Sequence, residues 1–562
     1  MPFPCALVAA LLLQAPAGAP AQDPRAHYDV QAYRLDLRVD PAERRLSGVA
    51  GIEGRVVEAA LGEVHLDLMS QWTVQSVELL AGALEQGGSL RGRALEFRHD
   101  SDRLVCVLPQ ALARGGSFAV AVAYSGKPKA ADSFEGFHWE KTPSGAPWVS
   151  TSCQGQGAHS WWPCKASFFH PEDKHERLFV NLTVPAGLYG VANGRLTARS
   201  AAGSGWETFH WRHDYPCETY AVAIAVAPYV VIESELELEG IEGPVPFIYY
   251  VLPEHEERAR IQFAEVPRLL EVYGEAFGPF PFPASKFGLV ETSFWGMEHS
   301  TAIAYGSTFP AWCRATGAPD RYAARNRYFD YILVHEVAHE WWGNAVSAAD
   351  WGDFWLHEGF ATYAEGVFVE ATQGRERAEA YFQDLRRAVP RRGRLYRGKG
   401  LTSRAAYSGI LYSKGAWVLN TLRTFVDEDE AWWRSLRSFN LAHRFGNATT
   451  EDFRAVLERE TGRPWKTFFE EWVYGSGYPV VTGALRAGAD SIEVALEVKG
   501  TDGGGFHLPL EIAWTEDGEP RRKRVEIAPG TNELSIPCLA KPAAVEAANT
   551  RRLLGRFEIR VE

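Results

Sequence analysis

This chain is poor in several things that would have pointed elsewhere. Past its first fourteen residues it has no apolar run approaching the ~20 residues a membrane-spanning helix needs. It has no excess of positive charge: 58 Lys and Arg stand against 71 Asp and Glu, for a net charge of −13. That balance argues against nucleic acid or an anionic membrane surface as the main partner. Cysteines number only seven, and their scattered spacing fits neither a dense disulfide framework nor a zinc ribbon. Cys153 and Cys164 are the two placed to pair in an oxidising compartment. No internal repeat or low-complexity stretch is present, which excludes a solenoid.

What is there suits a multidomain globular protein. The 562 residues are enough for three or four domains, and apolar (46%) and charged (23%) fractions are ordinary. Nineteen tryptophans are expected mostly in cores and between domains. Residues Pro2 to Gln14 form a short apolar stretch, followed by small residues ending Ala19-Pro20-Ala21. This fits a signal peptide over 1–21, a mature start near Gln22 and a secreted or periplasmic product without Cys5.

From His27 to about Glu242 the chain alternates as strands do, in YRLDLRVD (33–40), VHLDLM (64–69), RLVCVLP (103–109) and FAVAVAYSG (118–126). A large β domain of the sandwich type is expected over 22–242. The Gly/Pro-rich stretch Gly240 to Pro246 reads as a junction. Helical patterns follow at Glu254–Phe277, Glu376–Val389, Lys414–Phe425, Glu428–Asn440, Thr450–Thr461 and Pro464–Tyr474, with Thr450 as an N-terminal cap. Strands return from Val480 to Glu562, enough for a small β-sandwich over 480–562. The expected class is a multidomain α+β chain: a β domain, a mainly helical domain over 243–479, and a C-terminal sandwich.

The richest stretch is Tyr331–Glu365, YILVHEVAHEWWGNAVSAADWGDFWLHEGFATYAE. It holds H-E-x-x-H as His335, Glu336 and His339, then Glu358 after eighteen intervening residues. On a helix, His335 and His339 share one face and can hold one zinc ion. Glu336 is then close enough to act on a metal-bound water. A second helix, opened near Asp353, brings in Glu358. Two histidines, one glutamate and an open position are the layout of a catalytic zinc site rather than a structural one.

HEVAHEWWGN (335–344), the eighteen-residue gap and WLHEGFATYAE (355–365) resemble the zinc signature of the aminopeptidase N family of gluzincin metallo-aminopeptidases. Trp295-Gly296-Met297-Glu298-His299 resembles the family's G-x-M-E-N strand, with Trp295 and His299 as departures. The resemblance implies that Gly296 and Met297 offer backbone to the peptide and that Glu298 binds its free amino group. It also implies a similar role for Gln154, nine residues before Pro163, with Gln156 as the competing choice. Tyr412 in Y-S-K-G resembles the tyrosine that stabilises the tetrahedral intermediate, and Tyr407 has the weaker claim. Glu365, seven residues past Glu358, is a candidate for orienting a zinc histidine. The domain order also resembles a short form without the large helical C-terminal domain, its middle domain thermolysin-like and its first a β saddle.

The expected activity is removal of the N-terminal residue from peptides that have a free amino end. One zinc ion per chain and a water activated there carry it, with Glu336 as general base. The competing readings are a zinc endopeptidase or other hydrolase on the same scaffold, and a catalytically silent binding protein.

Overall fold

The computed structural model describes residues 23–562 apart from 59, 130–134, 154–156, 167–172 and 307–327. The alternation around YRLDLRVD becomes the strand Tyr28–Asp40, which buries Leu35, Leu37 and Val39 on one face. It lies inside an eight-stranded sheet, antiparallel to Arg45–Val56 and parallel to Arg177–Pro185. A three-stranded and a four-stranded sheet share one apolar core with it. Helical structure among the described residues of this part is limited to short 3-10 turns.

The run TYAVAIAVAPYVVIE splits between two sheets. Ile224–Ala227 belongs to the four-stranded sheet of the β domain, whereas Val230–Leu236 starts a five-stranded sheet that continues into the helical part. Gly240 to Pro246, expected as the junction, lies in and beside the turn of the hairpin pairing Val230–Leu236 with Val245–Val251. The change of sheet therefore falls earlier, between Ala227 and Val230. At the far edge of the five-stranded sheet sits the two-residue strand Gly296–Met297, antiparallel to Ile303–Gly306.

Ten helices follow among the described residues. They are α1 (Glu256–Gln262), α2 (Val266–Phe277), α3 (Tyr331–Ala338), α4 (Trp355–Gln373), α5 (Arg375–Arg386), α6 (Ser403–Ala406), α7 (Ile410–Val426), α8 (Asp429–His443), α9 (Thr450–Thr461) and α10 (Lys466–Trp472). The single helix expected over Glu254–Phe277 is broken by a 3-10 turn at Phe263–Glu265, because Pro267 has no N–H to continue the ladder and restarts it as the first turn of α2. The cap of α9 is Thr449, not Thr450, in a reciprocal pair with Asp452. Asp353 does not open α4; its carboxylate accepts from the Thr450 N–H (2.9 Å) and hydroxyl (2.6 Å) and ties α9 to the approach of α4.

α4 and α7 cross at two glycines. A Cβ on Gly415 would lie 2.7 Å from the Cα of Gly359, and one on Gly359 would lie 3.0 Å from the Cα of Gly415. This close approach brings the first turn of α7 to the first turn of α4. Gly415→Ala is therefore expected to destabilise by about 1–3 kcal/mol through overpacking, despite the ~1 kcal/mol gain in helix propensity. Thermal melting measures the sign.

The C-terminal sandwich pairs a four-stranded sheet with a three-stranded one between Pro479 and Val561. Its core runs on into that of the helices. Arg386 donates to the Gly555 carbonyl (2.5 Å) and Asn420 to the Arg552 carbonyl (3.1 Å), sealing the contact. Cys153 and Cys164, whose pairing the sequence leaves open, both remain thiols. The Trp161 indole N–H donates to the Cys153 sulfur at 3.0 Å, and the Cys164 backbone is paired with Asp67.

Candidate metal and substrate site

Asp330 caps the start of α3: its carboxylate accepts from the Leu333 N–H (3.3 Å), the Tyr305 hydroxyl (2.6 Å) and the Gln262 amide (2.8 Å). The helix is short, and His339 sits just past its last residue. The chain then turns through Gly343 at φ 137°, where a Cβ would stand 3.3 Å from the Nδ1 atoms of both His339 and His357.

The outer nitrogens of the two histidines are both committed. His335 Nδ1 donates to Glu365 (2.8 Å), and His339 Nδ1 donates to the Trp342 carbonyl (2.8 Å). These partners assign each neutral ring a lone pair on Nε2. The two Nε2 atoms face each other at 3.2 Å, and Glu358 Oε2 lies 3.3 and 3.5 Å from them. Two imidazole lone pairs and a carboxylate turned onto one point are a cation's donor set. A tetrahedral zinc with bonds of about 2.0–2.1 Å sets its ligands some 3.3 Å apart, so the triangle fits. All three ligands are buried.

Second partners hold each ligand in place. Glu365 itself accepts from the Tyr381 hydroxyl (2.6 Å). The Tyr407 hydroxyl donates to Glu358 Oε1, and the Tyr412 hydroxyl to Tyr407 at 3.2 Å. The Tyr412 ring also lies nearly parallel to that of His335, with centroids 5.8 Å apart.

Glu336 lies against the edge strand. A Cβ on Gly296 would meet Glu336 Oε1 at 2.7 Å and Ile332 at 2.8 Å, so only glycine leaves the carboxylate room. Gly296→Ala is expected to displace Glu336 and lower kcat about a hundredfold, as small misplacements of reacting groups do, with metal content unchanged. Kinetics and metal analysis on one sample check this.

Met297 points into the β-domain core, pairs with Ala304 and accepts from the His299 N–H at 2.9 Å. Glu298 is 2% exposed, and among the described residues its Oε1 has no hydrogen-bond partner. Donor atoms of Glu298, Glu336 and His339 all fall within 4.8 Å of one another. Trp295 is 42% exposed, whereas His299 is buried and lines a small cavity with Ser150 and Thr292. Gln154 and Gln156 lie outside the described residues.

The electrostatics favour a cation. Burial pushes Glu336 up to about 8, with Glu298 and Glu358 adding to the rise against the two imidazoles. Burial works against a charged His339, yet Glu298 and Glu358 lift it to about 9. Glu358 is held well below the usual carboxylate range: the hydrogen bonds and charges of His335 and His339 outweigh its burial.

The description "Peptidase M1 N-terminal domain" matches residues 26–221, and "Peptidase family M1 domain" matches 262–472. The chain belongs to the M1 peptidase family. It is 24% identical over 391 residues to glutamyl aminopeptidase of Bos taurus, covering 66% of this chain and 39% of that protein. It is 26% identical over 298 residues to aminopeptidase N of Streptomyces lividans, covering 50% and 34%. The chain thus spans about two fifths or less of the length of these two relatives. An M1 zinc metallopeptidase structure from Deinococcus radiodurans has the same fold, with a TM-score of 0.63 at 24% identity, covering 80% of this chain and 94% of that one.

Within this M1 site, Tyr381 had no signal in the sequence, because its contact depends on α5 folding back along α4. Tyr407 had one in its five-residue spacing from Tyr412, but nothing there gave its bond to Glu358. Glu340 and Asn344 stand inside the motif, and only the three-dimensional arrangement shows what they touch.

Proposed function

We propose that this M1 peptidase is a zinc-dependent aminopeptidase that removes the first residue of peptides with a free amino end. The observation that carries this reading is the trio of Glu298, Glu336 and His339, with donor atoms within 4.8 Å. A buried carboxylate with an oxygen that no described residue partners is a site for an ammonium group. Consecutive Cα atoms are about 3.8 Å apart, so one residue spans the gap between that carboxylate and the catalytic pair. A peptide lacking the free amine leaves Glu298 desolvated and unpaired, which disfavours it.

His335, His339 and Glu358 would hold the zinc, whose chemistry when bound is to acidify a water and polarise a carbonyl. Glu336 takes a proton from the attacking water and returns it to the leaving amine. Tyr412, in the first turn of α7, offers its hydroxyl to the developing oxyanion. Tyr407 holds Glu358 in the orientation its ligand role needs. The backbone of Gly296, at a sheet edge, is available to pair with an extended peptide.

The test compares hydrolysis of free-amine and N-acetylated aminoacyl reporter substrates. Preference for the free amine is expected; preference for the acetylated form would favour the endopeptidase reading. The stretch over residues 1–21 supports a secreted or periplasmic location. N-terminal sequencing of the exported protein should then begin near Gln22.

A further inference from the structure

Glu298 stands in a turn whose backbone is gripped from two sides. Its strand ends at Met297, so sheet pairing does not reach it. The Glu298 carbonyl accepts from Asn344 Nδ2 at 3.0 Å. Three residues on, the Thr301 N–H donates to Glu340 Oε1 at 2.9 Å. Asn344 Nδ2 also lies 3.5 Å from that same oxygen, so the two grips touch.

Both belong to the segment that carries the metal ligand. Glu340 follows His339 directly, and the Asn344 N–H donates to the His339 carbonyl at 2.9 Å. The β domain holds the other side of the turn: Asn193 donates to the Ser300 carbonyl (2.6 Å), and the Gly194 N–H to the Thr301 hydroxyl (2.8 Å). Glu340, Asn344 and Thr301 are all buried. Thr301 adopts φ 56°, a left-handed conformation that a β-branched residue avoids unless its surroundings impose it. The turn is held in shape rather than resting in one.

We propose that Asn344 and Glu340 are positioning residues for Glu298. They fix the amine-binding carboxylate at a set distance from His339, and that distance determines that a single residue fits between a peptide's amino group and the bond that is cut. This rests on the aminopeptidase reading. It assigns the length selectivity to two side chains that touch neither metal nor peptide. Loosening the grip leaves the metal ligands and Glu336 in place but lets Glu298 drift, so the free amine loses its advantage.

The test uses the zinc-loaded full chain with free-amine and N-acetylated aminoacyl anilides. If the unmodified protein shows no preference for the free amine, the aminopeptidase reading itself fails. Given that preference, Asn344→Ala and Glu340→Ala should each raise KM for the free-amine substrate about tenfold or more, the effect of losing one buried hydrogen bond. Activity on the acetylated substrate and zinc content should change far less, so the preference narrows. Glu340→Gln keeps an acceptor for the Thr301 N–H and should restore most of the preference. A purely structural role would lower both activities together, with no rescue by glutamine. Should Asn344→Ala not fold, Asn344→Ser, which draws the donor back while keeping a polar group, takes its place. Variants that keep the full preference, or lose both activities in proportion, overturn the proposal.

Discussion

Glu336→Gln is expected to lower kcat about 10²–10⁴-fold, the range for removing a positioned general base, with zinc content unchanged. The amide keeps the shape of the carboxylate and its fit against Gly296, where a single added Cβ would stand 2.7 Å away. It does not disturb His335, His339 or Glu358, whose donor atoms converge without it. The loss therefore reports proton transfer and not geometry or metal binding. In the metal-free pocket, burial lifts the Glu336 carboxyl to about 8. Turnover measured with metal analysis on the same protein decides the matter: full activity in a zinc-loaded Glu336→Gln protein would remove Glu336 from the mechanism.

The metal set was legible in the sequence because helical pitch alone places His335 and His339 on one face, and a glutamate on a nearby helix completes three ligands. The alternating pattern of YRLDLRVD likewise disclosed its strand, since one face must be buried. Other features depend on packing that no local pattern encodes. Pro267 breaks a helical run that periodicity reads as continuous. The hairpin from Val230 to Val251 crosses a stretch whose glycines and prolines read as a domain junction. The thiol of Cys153 is engaged by an indole eight residues away rather than by Cys164. The grip of Asn344 and Glu340 on the Glu298 turn joins residues more than thirty-five positions apart through a strained threonine. Residues that hold chemistry repeat recognisable spacings, whereas residues that hold those residues only have to reach them.

Removing the metal with a chelator is expected to abolish turnover and to lower the melting temperature by an amount that grows with pH. A ligand bound at a thousand times its dissociation constant stabilises by about 4 kcal/mol, so the shift should be readily measured. The pH trend follows from His339. In the metal-free pocket, Glu298 and Glu358 raise it from 6.5 to about 9 against the opposing effect of burial. A histidine raised on folding adds stability that is complete below the unfolded value and is lost as pH rises through the folded one. Glu336, raised by burial to about 8, loses stability in the same direction. The metal-free protein should therefore weaken from about pH 4.5 to 8 through Glu336 and from about 6.5 to 9 through His339. The zinc-loaded protein escapes the His339 part of this loss, because metal binding requires the neutral imidazole and competes with its proton. Melting curves of both forms across that range, with zinc readdition restoring activity and stability together, test the argument. A gap between the two forms that closes as pH rises would mean that the buried carboxylates do not govern His339 as described.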